Sequence, residues 1–252
     1  MLLSLQKNIV YGPVSSRRLG CSLGINLLPI RVKTCNFNCL YCQYGWTDLK
    51  RMENPDFKTF PSIDTVLEAV ERALRALQPP PAYLTFSGNG EATLHPAFPE
   101  IVEGINRLRD RYMPSTKTAI LSNSTRVTDP VIRKALCRLD QCIMKLDAGN
   151  EATFRRYNGP LAGIHLQDVV DGLKKMSAVI IQSLFTGGID GNSLPGDIDT
   201  WLEAVLAISP SAVQIYSLDR QAPSSLILPL ELSTLAEIQK NLETNGVPSE
   251  MF

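Results

Sequence analysis

The chain is 252 residues long, 44% hydrophobic and 20% charged, with 25 Lys and Arg against 25 Asp and Glu. This is the length of one large domain and the composition of a soluble globular protein, and zero net charge argues against binding nucleic acid by bulk electrostatics. No apolar run approaches the ~20 residues that cross a bilayer, and Lys7 and Asn8 end the apolar start too early for a signal-peptide core, so no membrane partner and a cytoplasmic location are expected.

Charge is uneven along the chain. Residues 1–60 carry eight Lys and Arg against three Asp and Glu, which suits an anionic partner and equally suits a few solvated side chains. The Gly- and Arg-rich segment 11–24 has turn chemistry and is expected to form a hairpin or loop. Short apolar runs then predict strands over 25–32, 82–87, 117–121, 141–146, 179–184 and 212–216.

Helices are expected between them. Ile63, Val66, Leu67, Val70, Leu74 and Leu77 make a helical stripe over 63–77, stopped by Pro79, Pro80 and Pro81. Further helices are predicted over 96–111, from Asp129 and Pro130 onward, and over 166–176, 198–208 and 232–245, the last stopped by Gly246. Six strands alternating with six helices imply right-handed βαβ units in a parallel α/β sheet, either open or curled into a partial barrel. One domain is expected over 1–252: an N-terminal extension over 1–24, the strands and helices over 25–220, and a C-terminal helix and tail over 221–252. Ligands of such folds bind at the carboxyl ends of the strands, so chemically informative residues should follow each strand.

Six cysteines in a chain of this size do not make a disulfide scaffold. Three of them, Cys35, Cys39 and Cys42, lie together after the first predicted strand, while Cys21, Cys137 and Cys142 are scattered. Spacing of i, i+4 and i+7 also suits one face of a helix. Against that, Asn36 and Asn38 interleave with the cysteines, Gly45 follows, and no helix start signal precedes them. Zinc is the stronger competitor, but structural zinc takes four protein ligands, and the only histidines are the distant His95 and His165. Three thiolates without a fourth suit an iron–sulfur cluster with one iron left open to a small molecule.

In this loop the chain resembles the radical S-adenosylmethionine (SAM) superfamily, whose CxxxCxxC motif is matched by Cys35, Cys39 and Cys42. The resemblance implies a partial (βα)6 TIM-like barrel with an N-terminal hairpin or loop extension. It also implies a [4Fe–4S] cluster and SAM as cofactors, with reductive cleavage of SAM to methionine and a 5′-deoxyadenosyl radical that abstracts hydrogen. A reductant such as flavodoxin or ferredoxin would be the partner. The turn Gly88-Asn89-Gly90-Glu91 resembles the motif that binds the SAM amino group, and Tyr41 resembles the aromatic residue beside adenine. The segments 11–20, 87–91 and 213–220 resemble a branch described as Fe–S oxidoreductases, distantly related to the radical SAM part of the wybutosine-synthesising tRNA enzyme. Ala92 stands where that branch often has proline.

Other polar residues follow the predicted strands. Ser122, Asn123 and Asp147 are placed either to meet SAM, with Asp147 on its ribose, or to cap helices. Gln182, Ser183, Gln214 and Tyr216 are polar positions on apolar strands that face either ribose and adenine or solvent. Arg17 and Arg18, then Asp219 and Arg220, are the candidates for an anionic substrate, with salt-bridged or solvated pairs as the competing reading. The substrate itself is left among peptide or protein side chains, small metabolites and RNA bases. A non-catalytic zinc or electron-transfer protein is the alternative. With no cysteine after Cys142, auxiliary clusters are not expected, and Cys137 and Cys142 are expected to be dispensable packing residues.

Overall fold

The structure is a computed structural model and describes residues 2–252. Among the described residues eight strands form one sheet in sequential order. β1 (Val10–Ser16) and β2 (Gly20–Ile25) are an antiparallel hairpin. From β2 onward all neighbours are parallel: β3 (Tyr83–Phe86), β4 (Lys117–Ser122), β5 (Gln141–Lys145), β6 (Val179–Leu184), β7 (Ala212–Tyr216) and β8 (Ser249–Met251). β1 and β8 are free edges, so the sheet is an open, partial barrel.

The helices are α1 (Leu49–Glu53), α2 (Ile63–Ala76), α3 (Phe98–Tyr112), α4 (Pro130–Leu136), α5 (Glu151–Asn158), α6 (Leu166–Leu173), α7 (Pro195–Ile208) and α8 (Leu232–Thr244). Among the described residues none is long and apolar enough to cross a membrane. Local chemistry sets their ends. Ser62 caps α2 by accepting from the Thr65 N–H, and Val66, Val70 and Leu74 bury its apolar stripe. Asp129 caps α4 with Pro130 at its first position, and Gly246, at φ +74°, follows the end of α8.

Strand alternation divides the sheet into two faces. Leu23, Leu84, Ile120, Met144, Ile181 and Ile215 face the helices and form the main core with them. On the other face Ala119 and Ile143, with the partly buried Tyr83 and Ile180, join Leu19 of the β1–β2 turn in a small separate cluster. The same turn reaches β7, since the Arg18 guanidinium lies 4.0 Å from the centre of the Tyr216 ring. A turn can touch β3 to β7 at once only if the sheet curls around it.

The first strand differs from expectation. β2 ends at Ile25, and 26–33 is irregular although largely buried. The cause is Asn26, whose side chain donates to Leu28 O at 2.9 Å and accepts from the Leu28 N–H at 3.3 Å, a local turn that competes with a ladder. The hairpin expected over 11–24 is present, and its second strand is also the first parallel strand of the sheet. α1, α5 and β8 were not foreseen from the sequence.

Candidate functional site

The cysteine segment is clamped on two sides. Its Thr34 N–H donates to Asn89 O at 2.8 Å and its Thr34 C=O accepts from the Glu91 N–H at 3.0 Å, an isolated parallel bridge to the turn after β3. Gly90 makes this possible: at φ +141°, an added Cβ would stand 1.9 Å from Thr34 O. Beyond the cysteines, the Asn38 N–H donates to Asn158 O and Gly159 O, and the Leu40 N–H to Tyr157 O, all at the end of α5. Lys33, itself buried, closes the loop by donating to Gly45 O at 2.6 Å. The glycine turn expected to cradle a ligand thus first cradles the cysteine loop.

All three cysteines of the loop are free thiols, Cys35 buried and the other two partly exposed. Two of their sulfurs accept from amide side chains, Cys35 Sγ from Asn123 Nδ2 and Cys39 Sγ from Asn158 Nδ2, each at 3.6 Å. Burial pushes the Cys35 thiol up to about 12, against the pull of the Lys33 ammonium, and burial does the same to Cys39. Such thiols become thiolates when a cation joins them. Among the described residues, no three His, Cys, Asp or Glu converge as the ligands of a single metal ion must.

Glu91 is the buttress on the second side. Its Oε1 accepts from the Thr93 N–H (3.0 Å), Thr93 Oγ1 (2.5 Å) and Ser122 Oγ (3.0 Å), and its Oε2 from the Asn123 N–H (2.6 Å). Burial nevertheless raises its pKa. Ser122 and Asn123 are therefore joined to the glycine turn, and Asn123 Nδ2 also reaches Asn36 Oδ1 at 2.7 Å. Asn89 is fully buried and turned inward. Its Nδ2 donates to Gln6 O and Pro29 O, and its Oδ1 accepts from the Gln6 N–H, so the side chain is engaged within the protein. Gly88, at φ +129°, packs where a Cβ would meet Asn26 Oδ1 at 2.7 Å.

Asp147, just past β5, is the second hub. Its Oδ1 accepts from the Leu184 N–H and the Lys145 ammonium, both at 2.8 Å. Its Oδ2 accepts from Tyr41 OH and, at 2.8 Å, from Asn158 Nδ2. Those four bonds use the acceptor sites of a carboxylate. Burial and the neighbouring Asp147 push the Tyr41 phenol well above its usual range. Burial opposes the Lys145 charge, yet Asp147 and Tyr216 leave its pKa raised.

Gln182 and Tyr216 share the concave face with Lys145. Gln182 Nε2 donates to Gln214 Oε1 at 3.0 Å, and Lys145 Nζ lies 3.3 Å from Tyr216 OH. The four mouth residues separate into distinct environments. Arg17 pairs with Asp219 at 2.7 Å on the surface, Arg220 reaches Gln43 beside Cys42 at 3.5 Å, and Arg18 lies half-buried on Tyr216. Cys142 packs in the main core and Cys137 is exposed, both away from the loop.

The model of the radical SAM superfamily matches residues 30–202, more than half of the chain and the whole cysteine loop. The chain belongs to the radical SAM superfamily. It is 34% identical over 221 residues to a UPF0026 protein of Synechocystis, covering 85% of this chain and 77% of that one. To a UPF0026 protein of Helicobacter pylori it is 31% identical over 227 residues, covering 88% and 69%. Its fold is similar to that of a radical SAM methyltransferase from Sphaerobacter thermophilus (TM-score 0.67, 13% identity, 92% of this chain and 65% of that one). It is also similar to TYW1 with a lysine–pyruvate adduct bound (TM-score 0.62, 18% identity, 89% and 73%).

Radical SAM proteins carry a [4Fe–4S] cluster and SAM, and the donor set fits the cluster: three free thiols in one loop, with amide donors on two sulfurs. Sequence reasoning missed Asn26, Lys33, Lys145 and Asn158. Asn26 was legible as the polar break in an apolar run. Asn158 was legible as the last residue before Gly159, which ends α5 at φ +53° after the Asn150 cap.

Proposed function

We propose that this protein is a radical SAM enzyme whose single [4Fe–4S] cluster is held by Cys35, Cys39 and Cys42. The observation that carries this reading is the double clamp on the cysteine loop, with Asn123 and Asn158 each aimed at a sulfur. Held by Cys35, Cys39 and Cys42, the cluster would supply the electron for reductive cleavage of bound SAM, the chemistry by which a 5′-deoxyadenosyl radical would take hydrogen from the substrate.

The chain's own residues set the geometry. Asn123 and Asn158 stabilise thiolate charge and hold two cysteines in place. Asp147 is a positioning residue that fixes Tyr41 beside the loop. The backbone of Gly88 and Gly90, with Glu91, borders the loop where the SAM amino group would lie. Gln182 and Tyr216 face the same space from β6 and β7. Cys39 and Cys42 are partly exposed, which suits delivery of an electron by flavodoxin or ferredoxin. The substrate belongs to one of three classes: a peptide or protein side chain, a small metabolite or an RNA base.

Anaerobic reconstitution with iron and sulfide tests the proposal. The expected product is a brown protein whose visible absorbance bleaches with dithionite and which then forms 5′-deoxyadenosine from SAM. A colourless protein that takes up zinc instead, with no 5′-deoxyadenosine, would overturn it.

A further inference from the structure

Most polar groups on the concave face are matched within the protein. Gln182 is bonded to Gln214, and the Lys145 ammonium stands 2.8 Å from Asp147 Oδ1. Arg18 is the exception. From the tip of the β1–β2 hairpin its guanidinium lies 4.0 Å from the centre of the Tyr216 ring and 5.2 Å from that of Phe252. Its Nε is buried without a hydrogen-bond partner. Among the described residues no carboxylate comes within ion-pair distance of it, whereas the adjacent Arg17 is neutralised by Asp219.

A guanidinium is always charged and offers a planar fork of donors that matches a carboxylate or phosphate with two bonds. Stacking on an aromatic face orients that fork while leaving its edge open. We propose that Arg18 anchors an anionic group, carboxylate or phosphate, of the substrate against Tyr216 on the concave face. The word substrate here rests on the radical SAM reading; the anion site itself does not.

The placement relates the anchor to the cysteine loop. Lys145 Nζ lies 5.0 Å from the centre of the Tyr216 ring and 5.1 Å from that of Tyr41, and Tyr41 is bonded to Asp147, which holds Asn158 beside Cys39. Arg18, Tyr216, Lys145 and Tyr41 thus form one ladder of cations and rings from the hairpin tip to the loop. A molecule held by its anionic end at Arg18 extends along this ladder toward the cysteines. Arg17 and Arg18, a single basic pair in the sequence, have separate roles: one ties the hairpin down and the other receives the ligand.

Thermal unfolding of the reconstituted protein at constant ionic strength tests this, with inorganic phosphate and acetate as separate probes against chloride. A ligand at ten times its dissociation constant raises the midpoint by about 3 °C in a chain of this size. That rise is expected with at least one probe, and which probe gives it separates phosphate from carboxylate recognition. It should persist in Arg17→Gln, shrink in Arg18→Lys and vanish in Arg18→Gln. On the unmodified protein the same anion should protect Arg18, and not Arg17, from phenylglyoxal, read by peptide mass spectrometry, so the test survives a variant that fails to fold. No rise with either anion, or no protection of Arg18, would overturn the site. 5′-Deoxyadenosine formation in the same preparation reports the catalytic reading separately: a protein that makes it without responding to anions loses only the anchor.

Discussion

Asn158 Nδ2 stands 3.6 Å from Cys39 Sγ and 2.8 Å from Asp147 Oδ2, so one amide joins the cysteine loop to the carboxylate hub beyond β5. Asn158→Ala leaves the buried Asp147 short of a donor. A loss of about 1–3 kcal/mol is expected from the urea midpoint of the metal-free protein. In the reconstituted protein the sulfur also loses its N–H donor, which had favoured added negative charge. The cluster's reduction potential, read by EPR-monitored titration, should therefore fall. An unchanged midpoint would show that the amide is idle.

Cys39→Ala separates cluster from fold. The residue sits in a loop that backbone bonds from Asn158, Gly159 and Tyr157 hold independently of its sulfur. Reconstituted Cys39→Ala should lack the visible absorbance and 5′-deoxyadenosine formation. The melting temperature of the metal-free variant should stay within about 3 °C of the parent. A variant that forms 5′-deoxyadenosine at the parent rate would remove Cys39 from the ligand set.

Gly90→Ala should be far more damaging than its size suggests. The new methyl would overlap Thr34 O, and φ +141° is unfavourable for any side chain. Strain and overpacking together should cost about 3 kcal/mol or more. Gly163, at φ +84° with nothing within 4 Å of an added Cβ, isolates the backbone contribution. Gly163→Ala should cost only about 1 kcal/mol. Equal chemical-denaturation midpoints for the two variants would contradict the close approach.

Stability should carry a histidine signature. His95 Nδ1 accepts from the Ala97 N–H at 3.1 Å and its Nε2 faces Pro61 O at 2.9 Å, an arrangement that suits the neutral ring. Burial lowers its pKa from the ordinary value. Because the unfolded chain takes up the proton first, this contribution is complete above about pH 6.5 and declines as the pH falls toward the folded-state value. His95→Gln should flatten that part of the stability profile, measured by urea denaturation between about pH 7 and pH 5. A parallel profile in the variant would assign the slope to other groups.

Much of this architecture is legible in the sequence. α2 announced itself by its stripe and the proline stop after it, and five of the six predicted strands appear within a residue or two of their expected ends. The cysteines were conspicuous because their spacing and their lack of a fourth ligand each constrain the chemistry. Asn26 misled because a single buried polar residue ended a strand that hydrophobicity alone would have continued. The partners of Asp147 and Asn89 were out of reach for a different reason. A carboxylate after a strand has the same local sequence whether it meets a ligand or a lysine, and only the fold decides which. The separation of Arg17 from Arg18 likewise depends on Asp219, about two hundred residues away, which no local pattern connects to the hairpin.

The two ends of the sheet also bear on the order in which the molecule assembles. The backbone partners of Thr34, Asn36 and Asn38 lie between residues 89 and 161, so most of what grips the cysteine loop is synthesised before β6. The Arg17–Asp219 bond and the stacking of Arg18 on Tyr216 join segments made near opposite ends of synthesis. The backbone partners that hold these three residues of the thiol loop therefore all precede in the chain the segments that fix the hairpin tip.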